Sequence, residues 1–504
     1  MVETSRRQLF RTGGLAAAAM AMPSPFPALA REDSASAYDL PERDDISHLV
    51  SRLTFGLTET ELSLARTLGY EGYLDYHLDP DAIDDGPVEE ILLDRLPSLS
   101  WTLAEMADLA RDDPEVRAQI RREFQVATLY RAIYSPRQLF EVMVEFWGNH
   151  FAVNALDGPL TVLKPWEDRS VMRMHAMGEF RDLLKADAHS PAMLYSLDNV
   201  SNTKDGPNEN YARELMELHT LGVDGGYDQG DVQEAARIFT GWAIDRTTAD
   251  YRFFPNRHDY GAKWVLGIRY PAGRGSGEGD ELLDRLAGHP STAAFLATKL
   301  VRRFVADDPP PSLVEKVAAT FGSTGGDIRQ TLRTLFLSPE FLSAKDAKLK
   351  RPFDYVVSVL RSAEPVITER GYRGIFEGLQ RLGQIPYAWP TPDGYPDTAP
   401  YWTGTSVLLT RWNLALGLAD GTFDRDLRLR LPDVQSWATT PTATVDTLVE
   451  RILARQIAET DRQTLINHAA GSGPVDGEIP IDQRETVARG VLGLLLVSRY
   501  FQTR

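Results

Sequence analysis

The run from Asn208 to Gly222 holds the densest set of chemistry-bearing side chains in this sequence. Asn208, Glu209, Asn210, Arg213, Glu214, Glu217 and His219 fall there among apolar residues. On a regular helix, at about 100° per residue, Glu209, Asn210, Arg213, Glu214 and Glu217 share an arc of about 140°. Tyr211, Leu215 and Leu218 line the opposite, apolar side. Such a stripe supplies carboxylates, an amide and a guanidinium for acid–base work or for a divalent metal. It also describes a solvated face on which Arg213 bridges Glu209 and Glu217 at four-residue spacing. Geometry alone favours this plainer reading. His219 points away from the arc and joins Glu214 and Glu217 only if the helix end distorts.

Three further groups carry polar chemistry. Glu141, Glu145 and Asn149 recur every four residues on one helix face, with Trp147 and His150 on a neighbouring face. Packing plus one hydrogen bond accounts for that Trp-x-x-His pair more simply than a ligand set does. The segment Arg257 to Lys263 places His258 and Asp259 at an expected hairpin tip, as a base or ligand, or more simply as solvated loop charges. Trp389, Asp393, Tyr395 and Trp402 stand in a Pro/Gly-rich stretch and either wall a cleft or pin the loop.

Familiar signatures are missing. The chain has no His-Glu-x-x-His, no Gly-x-Ser-x-Gly and no Glu-x-x-His. The acidic residues Asp224 to Glu234 miss the EF-hand spacing and read as a helix start. Glycines at every second position from Gly273 to Gly279 lack the Lys-Ser/Thr of a phosphate loop and read as a surface loop.

Helical periodicity must position these groups nearly everywhere. It predicts helices at about 114–134, 136–149, 167–187, 191–198, 208–221 and 229–242. The pattern turns β-like only around 250–267, where Tyr251 to Phe254 and Lys263 to Gly267 flank a short turn region. Helices resume from about 280. The expected fold is mainly α, a large multi-helix domain with a small hairpin insertion. Residues 44–245 form its N-terminal helical region, 246–280 the hairpin and glycine-rich loop, and 281–504 a C-terminal helical region continuous with the first.

Composition narrows the chemistry. With 54 basic and 72 acidic residues the formal net charge is −18, which argues against non-specific binding to nucleic acid or anionic lipid. Zero cysteines exclude disulfides, thiolate zinc sites, iron–sulfur clusters and covalently attached haem. Any metal would sit on His, Asp, Glu, Asn or carbonyl oxygen. At the N-terminus, Arg6-Arg7 precedes a soft apolar run and Ala28-Leu29-Ala30. That order fits a twin-arginine export signal over 1–30, followed by a flexible lead at 31–43. No later segment reaches the length of about 20 apolar residues that spans a bilayer.

The runs HLVSRLTFG (48–56), FWGNHFAV (146–153), PNENYARELMELHTLG (207–222), AARIFTGW (235–242) and HDYGAKWVLG (258–267) resemble the bacterial exported proteins grouped as domain of unknown function 1800. So do HPSTAAFLATKLVRRF (289–304), PYAWPTPDGYPD (386–397) and Arg411-Trp412-Asn413. The resemblance implies export to the periplasm or beyond, and a co-exported sulfatase- or phosphatase-like partner. It assigns no activity, though Asn149, His150, Asn210, Arg213, Glu214 and Glu217 all lie in its signature runs.

Together these features favour a hydrolase acting on an extracytoplasmic polymer or other large substrate. In that expectation Glu214 or Glu217 is the general base or a metal ligand, and His150 an acid or ligand. Arg213 binds an anion, and Trp147 and Trp389 wall the cleft. The alternatives are a non-catalytic scaffold or chaperone for the partner, and a non-covalent metal or haem carrier.

Overall fold

The computed structural model describes residues 41–504, so the twin-arginine segment and the lead up to residue 40 lie outside the described residues. The fold is mainly helical, as the periodicity predicts, with small two-stranded antiparallel sheets. Two compact units share the chain. One gathers the residues through Tyr73 with Ala344–Gly383 and Thr398–Arg504, and the other Leu74–Ser343 with Gln384–Asp397.

In the first unit, Asp44 caps the Asp45–Leu53 helix by accepting from the Ser47 N–H at 2.8 Å. Leu49, Val50 and Leu53 are wholly buried there. The Arg484–Val497 helix packs on Thr405–Asp420. The same unit holds a cation-rich core in which the Arg411 guanidinium stacks 4.4 Å from the Tyr355 ring and the Lys350 ammonium 3.8 Å from Phe501. Burial, reinforced by Arg43, Arg504 and Arg411, holds Lys350 well below the usual lysine range.

The second unit contains every group singled out by type and spacing except Trp402. Its Gln138–His150 helix is apolar on nearly all sides, with Leu139, Val142, Met143 and Trp147 fully buried. That pattern marks a helix inside a core rather than on a surface. Trp147 belongs to this core: its indole N–H donates to the Ala176 carbonyl at 3.0 Å, and its ring packs against Phe151 and Phe180. It therefore walls no cleft.

The β-like runs find different partners from each other. Tyr251–Phe253 pairs back with Trp242–Ile244, and Lys263–Val265 pairs forward with Ile268–Tyr270. Pro255 opens a 3₁₀ turn at Pro255–Arg257 that ends the first hairpin. Leu266 and Gly267, with φ of 50° and 72°, form the two-residue connection of the second. Leucine is an uncommon residue at positive φ, so the turn carried no sequence signal.

The Pro/Gly/aromatic segment 386–397 is fastened to the C-terminal end of the Gln138–His150 helix. The Asn149 amide accepts from the Tyr395 N–H at 2.7 Å and donates to the Tyr395 carbonyl at 3.0 Å. Tyr387 lies where a Cβ on Gly148 would be 2.5 Å from its ring. A Cβ on Gly394, whose φ is +75°, would fall 2.2 Å from the Asn149 carbonyl. Gly394→Ala is therefore expected to cost at least about 2 kcal/mol, combining left-handed strain with a backbone clash. Gly206→Ala, with open space around it, should stay within about 0.5 kcal/mol. Urea unfolding midpoints of the two variants check this.

Candidate functional site

The helix carrying the acidic stripe is not regular. It is α-helical over Asn210–Glu214 and π-helical over Leu215–His219. The Thr220 hydroxyl donates to the Leu215 carbonyl at 2.6 Å, and the Gly222 N–H to the Met216 carbonyl at 3.1 Å, closing the widened turn. π segments are rare and occur mostly as single turns, frequently at functional sites. His219 is in the core, only 1% exposed, while Glu214 and Glu217 are half-buried. The helix end is thus distorted, but the imidazole still points away from the acidic arc and does not join the carboxylates.

There it meets His150, the two rings 6.0 Å apart. His150 Nε2 lies 3.1 Å from the His219 carbonyl, and its Nδ1 lies 2.8 Å from Lys299 Nζ. A carbonyl only accepts and a lysine amine carrying protons donates, so the neutral ring must hold its proton on Nε2. Burial, then the Lys299 charge and His219, hold His150 well below the usual histidine range. Burial and Lys299 take His219 down to about 3. Neither imidazole nitrogen of His219 has a hydrogen-bond partner among the described residues. Lys299 is itself lowered to about 8, by burial first, against the pull of Asp397 and Asp393.

The carboxylates sit in the same field. Burial raises the Glu214 carboxyl, and the negative charges of Glu217 and Asp393 add to the shift while Arg213 opposes it. Asp393 acts on both Glu214 and Lys299, which ties the two groups together. Its side chain accepts from the Trp389 indole N–H at 2.9 Å, so Trp389 belongs to this neighbourhood too. Burial raises the hydroxyl of the half-buried Tyr227, and the charges of Glu217 and Glu214 add to this while Arg213 opposes it. Arg213 pairs with Glu209 at 2.8 Å and with Gln229 at 3.0 Å rather than bridging to Glu217. Further along, Arg303 holds Glu145 at 3.3 Å and Asp397 at 3.9 Å.

Two sets result: Glu214 with Glu217, Arg213 and Tyr227, and His150 with His219 and Lys299; the charge of Asp393, which is bonded to Trp389, acts on Glu214 and Lys299 alike. Asn210 starts the helix, its N–H donating to the Asn208 amide oxygen at 3.0 Å. Asn149 spends its amide on the loop. His258 and Asp259 lie apart. His258 is buried, with Nε2 3.1 Å from Glu278 and Nδ1 2.8 Å from the Thr240 carbonyl, while Lys263 pairs with the same Glu278. Asp259 binds Arg237 at 2.7 Å. That constellation fixes the hairpins rather than standing as a solvated tip. Among the described residues no three His, Asp or Glu side chains converge as a metal site.

A second buried polar group supports the same helix from below. Lys164 and Glu167 form a 2.5 Å ion pair with neither side chain exposed. Burial pushes Glu167 up to about 7 against the pull of Lys164, and lifts Asp187 well above the carboxylate range. The buried hydroxyl of Tyr211, on the site helix, feels the Asp187 charge.

The depressed histidines give stability a definite sign. Unfolded, His219 takes up a proton near its ordinary value; folded, it stays neutral down to about 3. Its contribution is complete above about pH 6.5 and is lost as pH falls from there toward 3. His219→Asn is expected to flatten the decline of Tm between pH 7 and 4 relative to the parent protein. Parallel curves for the two proteins would show that His219 is not held neutral.

Comparisons with known proteins bear on this geometry at the level of family. The family described as Protein of unknown function (DUF1800) matches residues 48–503, which takes in both units and every residue of the site. No curated protein and no solved structure matches the chain. With nearly the whole described chain inside one family match, the protein belongs to the DUF1800 family.

Proposed function

We propose that this protein is an exported hydrolase acting on an extracytoplasmic polymer or other large substrate, with its centre at Glu214, Glu217 and Lys299. The observation that carries the proposal is the Glu214 carboxyl, driven toward its protonated form by burial and by the charges of Glu217 and Asp393. A carboxyl that keeps its proton beside a second carboxyl can serve as donor, with the second as acceptor, in one reaction. Glu214 gives its proton to the leaving group as the bond to it breaks, and Glu217 takes a proton from the attacking water. Water is consumed, and the two carboxyls exchange their protonation states before the next turnover.

Lys299 supplies positive charge, as an ammonium, where negative charge develops on the attacked centre. His150 acts as a positioning residue. Both of its ring nitrogens are engaged, one by Lys299 and one by the His219 carbonyl, and its strongly lowered basicity suits a fixed hydrogen-bond acceptor better than an acid. Trp389, half-buried with its ring 4.8 Å from Tyr395, offers an apolar face beside Asp393 for a sugar ring or similar unit. No helix of the described residues is long and apolar enough to cross a membrane, which is compatible with transport through the twin-arginine route.

Glu214→Gln is isosteric and removes the proton donor. Turnover of peptidoglycan sacculi or dyed polysaccharides should fall at least about 100-fold, the scale of lost general acid catalysis, with the thermal midpoint retained. The activity of the parent enzyme should decline on the alkaline side as Glu214 ionises. A folded Glu214→Gln protein with full turnover would contradict the assignment, as would a parent enzyme that cleaves none of these polymers.

A further inference from the structure

A cavity of about 1020 Å³ in the Leu74–Ser343 unit shares no residue with the Glu214–Lys299 site. It lies between the Leu103–Ala110 helix, the start of the Leu160–Glu167 helix and the Trp242–Phe253 hairpin. Its lining is unusual for a chain with net charge −18: five arginines, Arg111, Arg117, Arg246, Arg252 and Arg257, face one carboxylate, Asp245. Two of them are neutralised locally. Arg252 pairs with Asp245 at 2.5 Å, and Arg111 with Asp108 at 3.3 Å. The other three have no carboxylate. Arg117 donates to the carbonyls of Ala110 and Arg111, Arg257 lies 4.8 Å from the Phe254 ring, and Arg246 makes no hydrogen bond or ion pair with a described residue.

Much of the remaining lining is apolar, with Val162, Leu163, Ile244 and Phe254 in it. Guanidinium groups interleaved with apolar side chains match a molecule with an anionic head and a hydrocarbon body. A bare anion would leave the apolar lining wet, and a neutral apolar molecule would leave three arginines without a counter-charge. The volume stands at the upper end of the range for small-molecule sites of about 300–1,000 Å³, large enough for a long acyl chain. We propose that this cavity is a binding site for a free acyl-chain amphiphile bearing a phosphate or carboxylate head, with Arg246 and Arg257 holding the head.

Calorimetric titration of the full protein with decyl phosphate, below its micelle concentration, tests the site. Saturable binding is expected, at least about 10-fold tighter than that of decyl maltoside, which shares the chain, or of inorganic phosphate, which shares the head. Raising salt should weaken the decyl phosphate affinity while leaving the maltoside unchanged. The double variant Arg246→Gln/Arg257→Gln changes two exposed side chains, so its thermal midpoint should hold while decyl phosphate affinity drops at least 10-fold. Equal affinity for decyl maltoside, or unchanged affinity in the double variant, would overturn the proposal. So would retention on vesicles of phosphatidylcholine and phosphatidylglycerol without binding of soluble decyl phosphate, which would indicate a membrane-facing patch instead.

Discussion

The hydrogen bond from the His150 ring to the His219 carbonyl fixes most of what surrounds it. It joins the end of the buried Gln138–His150 helix to the last turn of the acidic helix, across 69 residues of sequence. Because the Nε2 proton is committed to that carbonyl, Nδ1 is left as an acceptor, and Lys299 on the Pro290–Phe304 helix is drawn to it. Three helices are thereby held in register by one imidazole. The carbonyl is in position because the chain is π-helical through Leu215–His219.

Above that contact the charges hold one another. Asp393 and Asp397 reach Lys299 because Asn149 fastens the backbone at Tyr395, and because Gly148 and Gly394 have no side chains to keep the loop away. Loop, lysine and acidic helix then share a field in which Glu214 tends to keep its proton and Lys299 tends to lose one. Burial is the leading cause of both shifts, so the chemistry depends on packing as much as on the choice of charged residues. The Lys164–Glu167 pair and Asp187, near Tyr211, extend this polar support deeper into the unit.

Much of the helical architecture was legible in the sequence, because apolar residues at helical spacing are set by the core they bury. Glu214, Glu217, Arg213 and His150 stood out by type and spacing; the first three share one helix, and His150 meets the end of that helix at the His219 carbonyl. Lys299 did not stand out, since a lysine among Phe295, Leu296, Leu300 and Val301 reads as the polar edge of an amphipathic helix. Only tertiary contact with His150 distinguishes it. The π turn was equally hidden, because hydrogen bonds from each residue to the fifth before it are chosen by packing and not by a residue preference. His258 was misleading for the same reason: its polar neighbours Asp259 and Lys263 suggest a solvated tip, yet the ring is buried with Nε2 3.1 Å from Glu278 on a later helix. Each of the two units is assembled from separated stretches of sequence, a grouping that composition and periodicity do not mark.

The most direct test is the protonation state of His150, read by nitrogen NMR on protein with labelled imidazoles. A neutral ring protonated at Nε2 is predicted from pH 8 down to pH 5, with an Nδ1 resonance that moves when Lys299 is replaced by methionine. A ring protonated at Nδ1, or an imidazolium at pH 6, would contradict the arrangement that joins the π turn to Lys299.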